Sequence, residues 1–219
     1  MTRLVSNILI VDDHPIVRQG VSRLIAEEER FRVCGEASTW GEAFQLVSTT
    51  RPDAMILDIS LGNRMGLDLI RETTALVPQL RVLVLSMHDE MIYAERSLRA
   101  GAHGYIMKSD AAQKILEALD QVLQGRIYLS ERFLGEMTTP ALNRLPDNLR
   151  PSFQSLTNRE LEVLSLIGTG LSSEAISKRL SLSLKTVEAH RGNIRSKLGL
   201  ETRDRLLEVA IRFARESLP

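Results

Sequence analysis

Five polar side chains in the first half of the chain could act together, because each one follows or ends a short apolar run. They are Asp12, Asp13, Asp58, Ser86 and Lys108. Short apolar runs bounded by turn residues are typical of buried strands in a parallel sheet. Ligands of such sheets bind at the carboxyl ends of the strands. We therefore expect three carboxylates, a hydroxyl and an ammonium group to converge on one edge of a sheet.

These groups suit the transfer of a phosphoryl group. Clustered carboxylates repel one another unless a cation lies among them, and oxygen ligands favour a hard divalent ion such as Mg²⁺. A carboxylate can attack phosphorus as a nucleophile, which gives an aspartyl phosphate. The incoming group is an anion, and Mg²⁺, Lys108 and the Ser86 hydroxyl would stabilise it. The residues thus predict phosphorylation of Asp58.

Strands and helices alternate over the first 125 residues. The predicted strands cover residues 7–11, 32–37, 54–58, 81–86 and 104–108. The predicted helices cover residues 15–28, 40–50, 67–77, 89–100 and 111–124. Five strands that alternate with five helices indicate an α/β fold, in which helices cover both faces of a parallel sheet.

The second half of the chain divides into a linker, 126–154, and a small all-helical domain, 155–219. Prolines and polar residues interrupt the linker, which includes one short predicted helix at 131–137. Thr157 and Glu160 have the spacing of a capping box, which begins the first of four predicted helices. Ser172 and Ser183 can cap the second and third helices. Two short helices joined by a tight turn, the second one basic, are typical of a helix-turn-helix.

The formal net charge of zero conceals a difference between the two ends of the chain. Residues 1–130 hold 14 basic and 17 acidic side chains, a net of −3, whereas residues 155–219 hold 11 and 8, a net of +3. Residues 176–199 contain six basic side chains and one acidic one, which suggests a polyanionic partner. A solvated basic helix face is the alternative.

Cysteine content and hydropathy bear on the compartment. The single cysteine, Cys34, allows no internal disulfide and favours a reducing compartment, where we expect it to be a buried strand thiol. No apolar run approaches the roughly 18 residues of a membrane span. We therefore expect a cytoplasmic protein without membrane contact.

Residues 6–125 resemble the receiver domain of response regulators, which has a flavodoxin-like, doubly wound sheet of five parallel strands. The resemblance is carried by the five polar residues and by Tyr105, three positions before the lysine. It implies that Asp58 accepts a phosphoryl group from a histidine kinase. Ser86, Tyr105 and Lys108 are then the residues that stabilise the phosphoryl group or switch conformation.

The resemblance also implies a metal site and its neighbours. Mg²⁺ would be held by Asp13, Asp58 and the backbone carbonyl of Ser60, with Asp12 acting through a water molecule. We expect Ser60 and His88 to affect water access to the site, although His88 can equally be read as a surface histidine.

The sequence departs from common receivers in two places. Gly62 and Ser109 stand where many receivers have proline. We expect the turn 62–66 to be more mobile for this reason and to change the phosphoryl lifetime modestly.

Residues 156–164 and 183–198 resemble the LuxR-type helix-turn-helix, and together with the receiver they indicate the NarL/FixJ family. Val187, Ile194 and Leu198 form the predicted buried stripe of the third helix. The residues of this helix predicted to contact DNA or to support the contact are Lys185, Thr186, Glu188, Ala189, His190, Arg191, Gly192, Arg195 and Lys197.

Within this helix we assign two kinds of contact. Lys185, Glu188, Ala189 and Gly192 are expected to face base edges, with Lys185 as the donor to guanine. Arg191, Arg195 and Lys197 are expected to contact phosphate or support the helix. In the preceding helix, Ala175 stands where the family usually has glutamate, so a supporting contact is either missing or rebuilt from Glu174.

The resemblance implies a phosphorylation-controlled, DNA-binding transcriptional regulator. The resemblance also implies that it is not an enzyme, apart from its own phosphorylation and dephosphorylation. The expected partners are a cognate histidine kinase, double-stranded DNA, a second copy of the chain on DNA, and RNA polymerase. Two alternatives stay open: a phosphorylation-independent regulator with a vestigial receiver, and a phosphohydrolase with an aspartyl intermediate.

Overall fold

The computed structural model describes residues 5–61, 64–138, 153 and 155–217. It divides into two compact units, Met1–Leu134 and Gly135–Pro219. Among the described residues, no helix has the length and apolar character needed to cross a membrane.

The first unit is built on one parallel sheet. Its strands are β1 (Ser6–Val11), β2 (Phe31–Ala37), β3 (Ala54–Leu57), β6 (Arg81–Ser86) and β7 (Gly104–Met107). They lie in the order β2-β1-β3-β6-β7, and every pairing is parallel. This is the strand order of a flavodoxin-like fold, as predicted.

Five helices connect and cover these strands. They are α1 (Pro15–Ala26), α2 (Trp40–Thr50), α3 (Gly66–Leu76), α4 (Glu90–Ala100) and α5 (Ala111–Leu123). Side chains of α1 and α5 pack with Ile8, Ile10 and Ile56 in one buried cluster. The residues between these on the strands, such as Leu9 and Met55, are fully buried as well. Both faces of the central strands are therefore covered, which explains their continuous apolar runs.

The structure differs from the prediction after β3. Ser60–Leu61 (β4) pairs antiparallel with Arg64–Met65 (β5) in a short ribbon, where the prediction has only a turn. Gly66 is the first residue of α3. A side chain is disfavoured there, because an added Cβ would lie 2.8 Å from Ile59 Cα and 2.9 Å from the Asp58 carbonyl oxygen. Gly62, and with it the predicted mobility of this turn, lies outside the described residues.

Three smaller differences concern the end of α1, the end of β7 and the burial of Cys34. Helix α1 ends at Ala26 rather than near residue 28. Lys108 begins a 3₁₀ turn, Lys108–Asp110, instead of ending the strand. Cys34 is half-buried, because its position in β2 leaves the thiol beside the Thr50 hydroxyl near the surface.

The first unit continues beyond residue 125, where the sequence places the end of the receiver. The Tyr105 N–H donates to the Tyr128 carbonyl and the Tyr128 N–H donates to the His103 carbonyl, each at 3.0 Å. These bonds hold the chain along the outer edge of β7. The predicted linker helix follows as α6 (Glu131–Thr138), and the division between the units falls within it.

Between residues 158 and 217 the described part of the second unit forms four helices, as predicted. They are α7 (Asn158–Gly168), α8 (Ser173–Leu180), α9 (Leu184–Leu198) and α10 (Arg203–Ser217). The predicted capping box is present, since the Thr157 hydroxyl accepts from the Glu160 N–H and the Glu160 carboxylate accepts from the Thr157 N–H. The predicted stripe of Val187, Ile194 and Leu198 is buried.

Candidate functional sites

The strand register brings the acidic residues together. The Asp58 N–H donates to the Val11 carbonyl at 2.8 Å, which sets the residue after β3 level with the end of β1. Asp12 and Asp58 are each 2% exposed. Two carboxylates are thus buried side by side at the carboxyl edge of the sheet, where the sequence predicted them.

Lys108 joins these two carboxylates. Its Nζ lies 2.7 Å from Asp12 Oδ2 and 2.6 Å from Asp58 Oδ2, and its side chain is 6% exposed. The remaining Asp58 oxygen, Oδ1, accepts from the Ser60 N–H at 2.9 Å. Both oxygens of Asp58 are therefore held in place by donors that would also face an incoming phosphoryl group.

Burial and neighbouring charges shift the pKa values of Asp58 and Lys108 in opposite directions. Burial raises the pKa of Asp58 to about 6, although the charge of Lys108 opposes the rise. Burial alone would lower the pKa of Lys108, but the charges and hydrogen bonds of Asp58 and Asp12 outweigh it, and the pKa is raised. At neutral pH the carboxylate is ionised and the amine is protonated, as a nucleophile and its stabilising cation require.

The acidic cluster has the donors for a divalent ion. Asp12, Asp13, His14 and Asp58 each offer a ligand atom, and these atoms all lie within 4.8 Å of one another. One ion could therefore contact several of them, and the carboxylate donors fit Mg²⁺. His14 Nδ1 lies 2.8 Å from Asp13 Oδ1 and 3.2 Å from Asp12 Oδ1. Sequence reasoning missed His14, since a loop histidine alone gives no signal.

Ser86 and Tyr105 both hold one stretch of backbone beside the site. The Ser86 hydroxyl accepts from the His88 N–H at 3.1 Å, and the Tyr105 hydroxyl donates to the His88 carbonyl at 2.8 Å. Ser86 is fully buried and Tyr105 is 1% exposed. The two predicted switch side chains therefore meet at His88.

The His88 ring faces the site rather than solvent. Its Nε2 lies 2.8 Å from the Ser60 hydroxyl, so the ring connects the loops after β3 and β6. Burial, together with the charge of Lys108, lowers the pKa of His88 to about 4. The imidazole is neutral at pH 7 and adds no charge to the site.

Helix α9 presents the predicted DNA-contacting residues with unequal exposure. Lys185, Glu188, Ala189 and Lys197 are exposed. Thr186, His190, Arg191, Gly192 and Arg195 are half-buried. Lys185 forms no ion pair with any described residue. An exposed lysine one position after the helix's first residue is well placed for a ligand outside the domain.

Two predicted DNA residues already have partners inside the second unit. Lys197 Nζ lies 2.7 Å from Glu160 Oε2, and Glu160 is 2% exposed. Glu188 accepts from the Ser173 hydroxyl at 2.5 Å and lies 3.8 Å from Arg203. These contacts connect α9 to α7, α8 and α10, and they favour a supporting role for both residues. No sequence pattern indicates these partners, because they lie on other helices.

Helix α8, in which Ala175 lies, is hydrogen-bonded to α7 through Arg159. Glu174 is exposed, and hydrogen bonds at its own helix start, including one with Ser172, lower its pKa. Arg159 instead connects α7 to α8, because its guanidinium donates to the Leu180 carbonyl at 2.9 Å. Nearby, His190 Nδ1 is buried without a hydrogen-bond partner among the described residues.

Comparison with known proteins assigns a family to a range of residues in each unit. Residues 8–120 match the response regulator receiver domain, and residues 154–210 match the bacterial regulatory proteins of the luxR family. Neither is an enzyme family. The oxygen regulatory protein NreC of Staphylococcus haemolyticus is 34% identical over 209 residues, covering 94% of this chain and 96% of NreC.

Solved structures give the same assignment. RcsB from Salmonella enterica serovar Typhimurium, bound to promoter rprA in the presence of the phosphomimetic BeF3⁻, is 27% identical with a TM-score of 0.64. That alignment covers 93% of this chain and 97% of RcsB. A LuxR-family response regulator from an Aurantimonas species is 34% identical with a TM-score of 0.59, covering 64% of this chain and 98% of that one.

The fold and the acidic edge of the first unit define a receiver, and the second unit adds a helix-turn-helix domain. The chain belongs to the NarL/FixJ family of two-component response regulators.

Proposed function

We propose that the chain is a transcriptional regulator in which phosphorylation of Asp58 controls DNA binding by the second unit. The observation that carries the proposal is the buried Asp58 carboxylate, bonded to Lys108 and to the Ser60 N–H at the sheet edge. We propose residues 1–125 as the receiver, 126–154 as the linker and 155–219 as the DNA-binding domain.

The phosphoryl donor is a phosphohistidine of a sensor kinase. An Asp58 oxygen attacks phosphorus, the bond between phosphorus and the histidine nitrogen breaks, and that nitrogen keeps the electron pair. Asp58 reacts as the carboxylate, which the pKa of about 6 leaves predominantly ionised at pH 7. Lys108 Nζ, now 2.6 Å from Asp58 Oδ2, then pairs with the new phosphoryl oxygens.

The metal is assigned to the same cluster. Asp13, Asp58 and the Ser60 backbone carbonyl would hold Mg²⁺, with Asp12 through a water molecule. When bound, the ion supplies positive charge that neutralises the carboxylates and the phosphoryl oxygens.

Ser86 and Tyr105 link the phosphoryl group to the surface. The Ser86 hydroxyl, which now accepts from the His88 N–H, turns to donate to a phosphoryl oxygen. Loss of that bond frees the His88 backbone, to which the Tyr105 hydroxyl also donates. The loop after β6 then takes a second arrangement, which the phosphoryl group stabilises by differential contacts.

Helix α9 reads DNA in the major groove. Lys185 and Thr186, with Ala189 and Gly192, face base edges, while Arg191 and Arg195 contact phosphate and His190 lies at the edge of the interface. We assign Glu188 and Lys197 to support of the helix, since both already bond to other helices. Two copies on a near-palindromic site are expected from helix-turn-helix geometry, as RcsB dimers bound to DNA illustrate. A DNA partner also implies a cytoplasmic location.

One experiment separates this function from its two alternatives. The protein is incubated with acetyl phosphate and Mg²⁺, and an acid-labile adduct is sought in wild type and in Asp58→Asn. We expect a stoichiometric adduct in wild type alone. A protein with no adduct is a phosphorylation-independent regulator, whereas rapid release of phosphate from many phosphoesters indicates a phosphohydrolase.

A further inference from the structure

A buried carboxylate outside the acidic cluster, Glu90, connects the start of α4 to the chain that enters α6. Glu90 is the first residue of α4 and is 7% exposed. One carboxylate oxygen accepts from the Ser130 N–H at 2.9 Å, and the other accepts from the Ser130 hydroxyl. Two charge-assisted hydrogen bonds from one residue fix these distant segments to each other.

Ser130 is also the residue that caps α6. Its hydroxyl oxygen accepts from the Phe133 N–H at 3.1 Å, and its carbonyl accepts from the Leu134 N–H at 3.0 Å. Phe133 is 3% exposed, so the first turn of α6 is anchored by packing as well. The division between the two units falls directly after Leu134. Glu90 thus holds the start of the helix that leads into the second unit.

The residues that precede Glu90 in the chain connect it to the switch residues beside Asp58. His88, two residues earlier, has its N–H bonded to the Ser86 hydroxyl and its carbonyl bonded to the Tyr105 hydroxyl. The Tyr105 N–H in turn donates to the Tyr128 carbonyl, two residues before Ser130. Hydrogen bonds and short stretches of backbone therefore connect the switch residues to Ser130 by two routes. Such a network can carry coupling only if it has two arrangements.

We propose that Glu90 and Ser130 form a latch that is closed while Asp58 is unphosphorylated and opens when Ser86 turns to the phosphoryl group. The inference rests on the proposed function. Opening moves Glu90 with the loop after β6, which leaves the hydroxyl cap of α6 unsupported. Phosphorylation thereby loosens the first turn of the helix between the units.

Hydrogen exchange at the Phe133 and Leu134 amides tests the latch in the full-length protein. In the wild type, acetyl phosphate and Mg²⁺ should make these amides exchange about fivefold faster, the effect of losing a typical helix N-cap. Glu90→Met, which keeps the bulk but removes the acceptors, should exchange fast in both states. Ser130→Ala should do the same, which gives a second variant if Glu90→Met fails to fold. Ser130→Thr retains the hydroxyl and should respond as the wild type does.

A matched control lies on the same helix. Glu95 is exposed, and among the described residues its ion pair is with Arg99 on the same helix, so Glu95→Met should respond like the wild type. The Asp58 adduct is measured in the same samples. An adduct with unchanged α6 exchange in the wild type overturns the latch alone, as does a Glu90→Met protein that still responds to phosphorylation. Absence of the adduct in the wild type overturns the proposed function, and with it the latch as a response to phosphorylation.

Discussion

Replacing Asp58 with asparagine should stabilise the first unit in the metal-free protein. The folded structure raises the pKa of Asp58 from 3.8 to about 6, chiefly by burial, so ionising this residue opposes folding. The cost begins as the pH rises through about 3.8 and is complete above about 6. Asparagine cannot ionise, and Lys108 keeps its contact with Asp12 at 2.7 Å.

The magnitude follows from the size of the shift. Roughly two pKa units at about 1.4 kcal/mol each give an upper value of about 3 kcal/mol. The shift already includes the opposing charge and hydrogen bond of Lys108, and we expect a gain of about 1–3 kcal/mol at pH 7–8. For a unit of this size, each kcal/mol corresponds to a rise in Tm of roughly 3–6 °C. The gain should disappear as the pH falls from 6 towards 4.

Tryptophan fluorescence is the appropriate assay. Trp40, the only tryptophan of the chain, lies in α2 and therefore reports on the first unit. Melts are recorded between pH 4 and pH 8 with a chelator present. Asp68→Asn is the control, because it removes the same charge from an exposed position on α3 and should change stability by less than about 0.5 kcal/mol. An Asp58→Asn protein no more stable than the wild type at pH 8 would refute the reasoning from burial.

Three further predictions concern the second unit. Gly168→Ala should destabilise it by about 1–3 kcal/mol in circular dichroism melts, because the added Cβ would lie 2.0 Å from a backbone oxygen of α10, whereas Gly192→Ala has open space and should be neutral or stabilising. Burial raises the pKa of Glu160, but hydrogen bonds from Lys197 and Thr157 outweigh it and the pKa is lowered. Glu160→Gln should therefore be destabilising at neutral pH, and its deficit should shrink as the pH falls below about 4.5. Lys185→Ala should reduce discrimination between DNA sequences by about 1–3 kcal/mol, and an equal loss on random DNA would reassign this residue to phosphate binding.

The acidic edge could be predicted from the sequence, because the signal for each of its residues lies in the neighbouring residues of the chain. Each of the five polar residues follows or ends an apolar run, and parallel strands necessarily bring those ends together. The register that sets Asp58 level with Val11 then needs no further signal. The helix starts at Thr157, Ser172 and Ser183 were equally readable, since a cap and its helix are neighbours in the sequence.

Contacts between distant segments could not be predicted in this way. The pairing of Tyr128 with β7 depends on an open sheet edge, and no residue near Tyr128 in the sequence indicates that this edge is available. The bonds from Ser130 to Glu90 and from Lys197 to Glu160 join residues 40 and 37 positions apart. In the helix-turn-helix, a basic side chain that binds DNA and one that pairs internally look alike until the helices are packed.

DNA affinity of the full-length protein, measured with and without the Asp58 adduct, tests the central claim most directly. The probe is a duplex that the wild-type protein selects from a random-sequence pool, used at fixed salt concentration. Acetyl phosphate and Mg²⁺ should change the affinity or the assembly of the wild type on this duplex, and should leave Asp58→Asn unchanged. A wild-type protein that forms the adduct but binds and assembles as before would contradict the coupling.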